Sequence, residues 1–430
     1  MWQDERKKII LRNIILGILC AAIITGLVFA FIKNEEEAEQ EKEELQVYVK
    51  PQDPSLESTH MAVEDIEAEY RKDMDTVAQY LPGIVCWGDT FTAGSSGGTS
   101  YPYILQKFID ANICDIYDFR ASMKIYSSEY SRIEWDNYKV RIPVVNMGVD
   151  DEDTNTILGR SGTVPFVLKN EVTIPAGTEP VEIELISQNG KRVSPLSGGN
   201  GGVNNVTIGG IEGTLTLEAD NKPGSAKKLL YHFTRTSAGS EYKAAAETPV
   251  ITAAAEMYKD YLHIVWMGAF EGYKDEKELV TQIKTLLARQ TNNTDRYLVI
   301  GLCCKGDWGD FSSYDTAMTQ AFGDHYINIR KYLCSDGVSD ALGFAMLSPS
   351  KQDEMDAARG IVPPSLRSTK GNFSLNATAY KLVGKIVYER MEQMGYFNEV
   401  VDELYIKEVK KELTATNPML FSTTAALQNW

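Results

Sequence analysis

Histidine is scarce in this chain, with four in 430 residues at His60, His232, His263 and His325. None pairs with a cysteine at the spacing a zinc site needs, so no metal is expected, and no motif calls for a cofactor. The six cysteines, Cys20, Cys86, Cys114, Cys303, Cys304 and Cys334, form no CxxC and no regular spacing. They read as buried or unpaired thiols rather than a disulfide framework. Positive charge is also in deficit. A formal net charge of −17 excludes the basic stripe that nucleic acid requires. It also disfavours docking onto anionic lipids or anionic wall polymers, and leaves neutral ligands open. No internal repeat is evident.

What is present starts with a long apolar run. Residues 14–32 read IILGILCAAIITGLVFAFI without a charge, and residues 9–11 extend the run behind Arg12. A helix of roughly 20 apolar residues crosses a hydrocarbon core of about 30 Å. Arg6, Lys7, Lys8 and Arg12 precede the run, and glutamates follow it at 35–37 and between 39 and 44. Positive residues stay cytoplasmic, which predicts a single-pass cell-membrane protein with its N-terminus inside and the rest extracytoplasmic. A cleaved signal peptide would need a small-x-small exit, and Val28-Phe29-Ala30-Phe31-Ile32 does not provide one. The expected order is a cytoplasmic tail 1–8, an anchor 9–32, a charged stalk 33–60, an ectodomain 61–400 and a C-terminal tail 401–430.

Residues 62–81 carry apolar Val63, Ile66, Tyr70, Met74, Val77 and Leu81 at helical spacing, and Pro82-Gly83 ends that helix. Short apolar runs at 84–87, 142–146, 262–267, 297–302 and 326–329 read as strands. Helical stretches at 103–111, 276–289 and 377–394 lie between or after them. Strands separated by helices predict an α/β domain with a parallel sheet. Residues 165–252 break that rhythm with glycine-rich turns and alternating Val181-Glu-Ile-Glu-Leu-Ile186, which predicts a small all-β insert. The run 150–153, Asp-Asp-Glu-Asp, lacks the ligand spacing of a calcium loop and reads as a solvated acidic loop.

Four blocks carry chemistry, or its remains. Ile84-Val-Cys-Trp-Gly-Asp-Thr-Phe-Thr-Ala-Gly94 is a strand followed by the type of turn on which α/β enzymes expose a nucleophile. Val144-Val-Asn-Met-Gly148, Gly268-Ala-Phe-Glu271, and Gly371-Asn-Phe-Ser374 with Leu375-Asn376 and Tyr380 follow in order. These blocks resemble those of the SGNH/GDSL hydrolases, bacterial and membrane-anchored members included, over residues 82–397. The resemblance implies a three-layer α/β/α sandwich with a parallel sheet. It places Thr90 at the nucleophilic serine and Gly148 at an oxyanion position. Phe270 stands for the donor asparagine, Gly371 for the aspartate and Ser374 for the histidine base.

Acyl transfer needs a hydroxyl, a base, a group that orients the base, and donors for the oxyanion. Thr90 keeps a hydroxyl but adds a methyl that restricts χ1. Loss of a positioned base costs about 10²–10⁴-fold, and loss of one oxyanion donor about 10²–10³-fold. The expectation is a catalytically inactive, esterase-like ectodomain that binds a ligand or partner, such as a neutral or acylated cell-surface glycan. The alternative is an acyl-ester hydrolase that uses Thr90 with a displaced base, either Glu271 or a residue of the acidic loop.

Overall fold

The structure is a computed structural model that describes residues 63–95, 98–118, 139–187, 190, 205–220, 228–304, 311–343, 349–368 and 374–416. The chain divides into a unit Met1–Met61 and a unit Ala62–Trp430, and every described residue belongs to the second. The expected tail, anchor and stalk lie outside the described residues. Among the described residues no helix is long and apolar enough to cross a membrane.

Helix α1 (Val63–Tyr80) stops before Pro82 and leads into β1 (Ile84–Gly88), whose five residues are all buried. A short helix α2 (Thr90–Ala93) and then α3 (Tyr101–Ile109) follow, with Pro102 in the first turn of α3, where a missing N–H is tolerated. Strand β2 (Val144–Gly148) begins two residues later than the apolar run at 142–146 suggests. Pro143 has no N–H for the ladder, and its carbonyl accepts from Ile84 N at 2.8 Å instead. Helix α4 (Thr154–Arg160) comes next.

The insert then runs through β3 (Phe166–Leu168), β4 (Val172–Ile174), β5 (Val181–Ile183), β6 (Leu185–Ile186), β7 (Asn205–Ile208), β8 (Ile211–Asp220), β9 (Lys228–Arg235), β10 (Tyr242–Ala244) and β11 (Pro249–Thr252). Seven of these form one antiparallel sheet in the order β5-β9-β8-β7-β11-β3-β6, and β10 and β4 pair separately. Alternating exposure along β7 and β11 marks one buried and one solvated face. The expected all-β insert is therefore a sheet of its own.

After α5 (Ala253–Met257), the main sheet resumes with β12 (Leu262–Trp266), α6 (Glu276–Leu287), β13 (Tyr297–Ile300), α7 (Ser312–Phe322) and β14 (Tyr326–Ile327). Strand β14 ends at Ile327 rather than at 329 because Asn328 caps α8 (Ile329–Cys334) and accepts from Lys331 N at 3.0 Å. The remaining helices are α9 (Asp336–Gly343), α10 (Lys351–Ala358), α11 (Ala377–Gln393), α12 (Asn398–Glu403) and α13 (Ile406–Thr416). The expected tail from 401 is thus helical through Thr416, with Leu404 and Ile406 buried in the core. The boundary at 400 fails because α12 packs on α1 and closes the domain.

The main sheet has five parallel strands in the order β14-β13-β12-β1-β2. Its middle strands β1 and β12 are buried along their whole length, as a sheet covered on both faces requires. Helices α3 and α11 pack together, with Gly384 set against Ile104 and with Phe108 stacked on Tyr388 at 5.3 Å. Helix α6 packs on α4 and α7. The chain leaves β1 toward β2 on one side and later returns through β12 on the other. The point of such a reversal, outside the carboxyl ends of the strands, is where open α/β sheets bind ligands.

Candidate site at the strand ends

The registers place Gly88 opposite both Gly148 and Trp266, so three strands finish at one level. Neither glycine can be replaced without displacing its neighbours. A Cβ on Gly88 would stand 2.1 Å from the Trp266 carbonyl oxygen, and one on Gly148 would stand 2.1 Å from Ala93 N. The close approach seats α2 on the end of β2.

Asp89 builds the turn between β1 and α2. One carboxylate oxygen accepts from Phe91 N at 3.0 Å as the N-cap of α2, and the other accepts from Ala269 N at 3.3 Å beyond β12. Complete burial pushes its carboxyl up to about 7, although those N–H donors favour the charged form. Thr92 is also buried, and its hydroxyl lies 3.5 Å from the Trp266 carbonyl it donates to. Asp89 and Thr92 hold the strand ends together.

Thr90 is half-buried at the start of α2. Its hydroxyl oxygen accepts from Asp151 N at 2.8 Å. Next to it in the same turn, the Asp150 carboxyl is pushed above the usual aspartate range by partial burial and the charge of Asp151. Tyr380 Oη donates to the Thr90 carbonyl at 3.5 Å. Phe270 is half-buried against the core, and Glu271 is exposed. Asp151 and Glu271 both adopt left-handed backbone, at φ 58° and 68°. That conformation is costly without glycine and recurs at ligand sites.

The acidic loop differs from the solvated run expected of it. Asp150 and Asp151 are exposed, but Glu152 is buried and Asp153 caps α4, accepting from Thr156 N at 2.9 Å. Burial raises the Glu152 carboxyl, while Arg160, also fully buried, opposes that rise as its partner. Sequence spacing gave no sign of this pair, since eight residues and a helix separate its members. The loop is tied to the segment after β12 as well, through Thr154 N to the Glu271 carbonyl at 3.2 Å and Asn155 Nδ2 to the Gly272 carbonyl at 2.9 Å.

The amide at the expected oxyanion position is engaged within the turn. Gly148 N donates to Asn146 Oδ1 at 2.9 Å, so this amide already has an internal acceptor. Asn146 also donates to the Ala93 carbonyl and to Ser100 Oγ, each at 3.3 Å. The sequence held the signal for this, in the asparagine two residues before the glycine, but only the turn reveals the bond.

Gly371 lies outside the described residues. Ser374 is half-buried, and its carbonyl accepts from Ser368 N at 2.8 Å. The block after it is well anchored. Asn376 caps α11 and donates to the Ser365 carbonyl at 2.7 Å, and Asp353 accepts from Ser365 N and Oγ at 2.8 and 2.7 Å. No described histidine reaches the strand ends. His263 is the second residue of β12, about 10 Å short of the carboxyl end at ~3.3 Å per residue. Burial pushes it down to about 4, and its Nε2 donates to the Tyr258 carbonyl at 3.2 Å. His325 stacks on Tyr297 at the amino end of β13, and His232 lies on β9 of the insert. His60 is outside the described residues.

The described cysteines form no disulfide with one another: Cys86, Cys114, Cys303 and Cys304 are buried and Cys334 is partly so. Among the described residues no group of three or more His, Cys, Asp or Glu is placed to hold a metal ion.

No protein-family description matches the chain, and no curated protein sequence matches it. One solved structure that is similar in part is named "Peptidoglycan O-acetylesterase in action, 5 min". It shares 10% identity over 76% of this chain and 97% of its own, at a TM-score of 0.26. A likeness of that size carries no argument about fold or chemistry.

Proposed function

We propose that this is a membrane-anchored, extracytoplasmic protein with an SGNH/GDSL-hydrolase-like ectodomain that binds a ligand or partner at the ends of β1, β2 and β12 without hydrolysing it. The strand order supports a three-layer α/β/α sandwich. The crossovers from β1 to β2 and from β12 to β13 run in opposite directions, and since such connections are right-handed almost without exception, this order favours α3 and α6 on opposite faces. The observation that carries the non-hydrolytic reading is the setting of the Thr90 hydroxyl. It meets the Asp150–Asp151 turn instead of an imidazole, beside a Gly148 N–H that is already taken. A nucleophile without a base or an oxyanion donor retains binding and little else. The net charge of −17 favours a neutral ligand, such as an acylated glycan.

The test is p-nitrophenyl acetate hydrolysis by the full-length protein in detergent. No rate above buffer is expected, and turnover abolished by Thr90→Val would overturn the reading. One observation favours a second reading, in which the protein is a slow acyl-ester hydrolase. Asp150 adjoins the residue whose amide holds the Thr90 hydroxyl, and its carboxyl is raised from its ordinary range, as a general base would be. In that case Asp150→Asn and Thr90→Val abolish the same activity, while Glu271→Gln leaves it in place.

A further inference from the structure

Taking the Thr90 end of the sheet as the site, as proposed above, we propose that Arg160 is its positioning residue. Its buried pair with Glu152 holds residues 149–151 closed over Thr90 and joins that clamp to the exit of the β insert. Arg160 and Glu152 are both buried to within 1%. Arg160 Nε lies 2.8 and 2.9 Å from the two Glu152 oxygens, and Nη2 lies 2.5 Å from one of them. The same Nη2 donates to the Met147 carbonyl at 2.9 Å and lies 3.4 Å from that of Gly88. One guanidinium therefore binds the last turns of β1 and β2 to the loop that covers them.

Stability alone does not account for such a pair. Replacing a buried ion pair with apolar side chains of similar volume is often neutral or stabilising. What the planar fork supplies is direction. It fixes Glu152, and so sets the amide of its neighbour Asp151 on the Thr90 hydroxyl, with Asp150 next in the turn. Asp151 is held left-handed at φ 58°, a conformation that persists where the surroundings over-determine it. The main chain of Arg160 is engaged from the other direction. Thr252, buried at the end of β11, donates its hydroxyl to the Arg160 carbonyl at 2.5 Å. The guanidinium also lies over the Trp87 ring, 5.8 Å from its centroid.

The test is amide hydrogen exchange with carboxyl ¹³C NMR on the full-length protein carrying Arg160→Met and Glu152→Met together. This change removes both charges and leaves neither buried alone. The double variant is expected to keep the thermal transition of the parent and unchanged amide protection in α11. Exchange at Val149 and Asp151 should speed up about tenfold or more, an opening that corresponds to ~1.4 kcal/mol. The titration midpoint of Asp150 should fall toward an ordinary aspartate. A folded double variant with both amides still slow and the Asp150 midpoint unmoved would overturn the proposal. Should that variant not fold, Glu152→Gln is read in the same way, since it keeps the shape and removes the charge. An unmoved Asp150 midpoint there overturns the proposal equally. Neither readout uses an ester or a ligand, so failure here is distinct from failure of the binding reading.

Discussion

At the scale of single residues, the site is a set of atoms already committed to one another. Gly148 N–H serves Asn146, Asp151 N–H serves Thr90, and Ala269 N–H serves Asp89. Restoring Thr90→Ser, Phe270→Asn, Gly371→Asp and Ser374→His supplies a nucleophile, a donor, an orienting acid and a base. We expect the combined variant to turn over p-nitrophenyl acetate detectably but poorly. The engaged Gly148 amide leaves it short of one donor, worth about 10²–10³-fold. A folded, silent variant would show instead that the turn at 150–151 blocks the hydroxyl outright. Asp89 gives a second expectation, in pH. The folded protein holds that proton up to about pH 7, whereas a free aspartate releases it near 3.8. Between those values the native state binds the extra proton, so stability falls as pH rises. Urea midpoints should therefore be higher at pH 5 than at pH 8, and Asp89→Asn should flatten the slope. Glu152, raised by burial, acts in the same direction, so the comparison with the Asp89 variant isolates one group.

At the scale of elements, the insert enters and leaves the main domain on paired antiparallel strands, β3 and β11. Phe166 pairs with Val250, and Leu168 exchanges hydrogen bonds with Thr248 N-terminal to that pair and with Glu247, at 3.0 and 2.8 Å. A two-residue Asn-Gly turn placed directly between Leu168 and Thr248 suits this antiparallel geometry. The shortened chain is expected to unfold in one cooperative step, with a smaller urea m-value in proportion to the surface removed. The Thr252 to Arg160 bond lies outside the excised part and should survive. Loss of the cooperative transition would show that the main domain depends on the insert for its core.

At the scale of the whole molecule, the expectation concerns topology. Charge asymmetry about residues 14–32 is the ground on which we propose that the ectodomain lies outside the membrane. Protease added to intact cells should digest the domain and spare the N-terminal tail. A domain cut only after lysis would reverse the orientation.

The sequence by itself determined the main strands, the first and longest helices and the separate β insert, because apolar period and turn chemistry are local properties. It also pointed to the turns after β1, β2 and β12 as the place for a site, and parallel strands that end at one level bring such turns together. The tertiary structure decided what those residues do. The bond of Asn146 to the Gly148 amide depends on how tightly β2 turns at its end. The burial of Glu152 depends on Arg160, and eight residues of spacing encode no such contact. The helices at 398–416 join the core because α1 offers α12 a surface, which no local pattern records. Where hydrogen bonds go is settled by packing that no local pattern records, and at this site that packing engages the Gly148 amide internally.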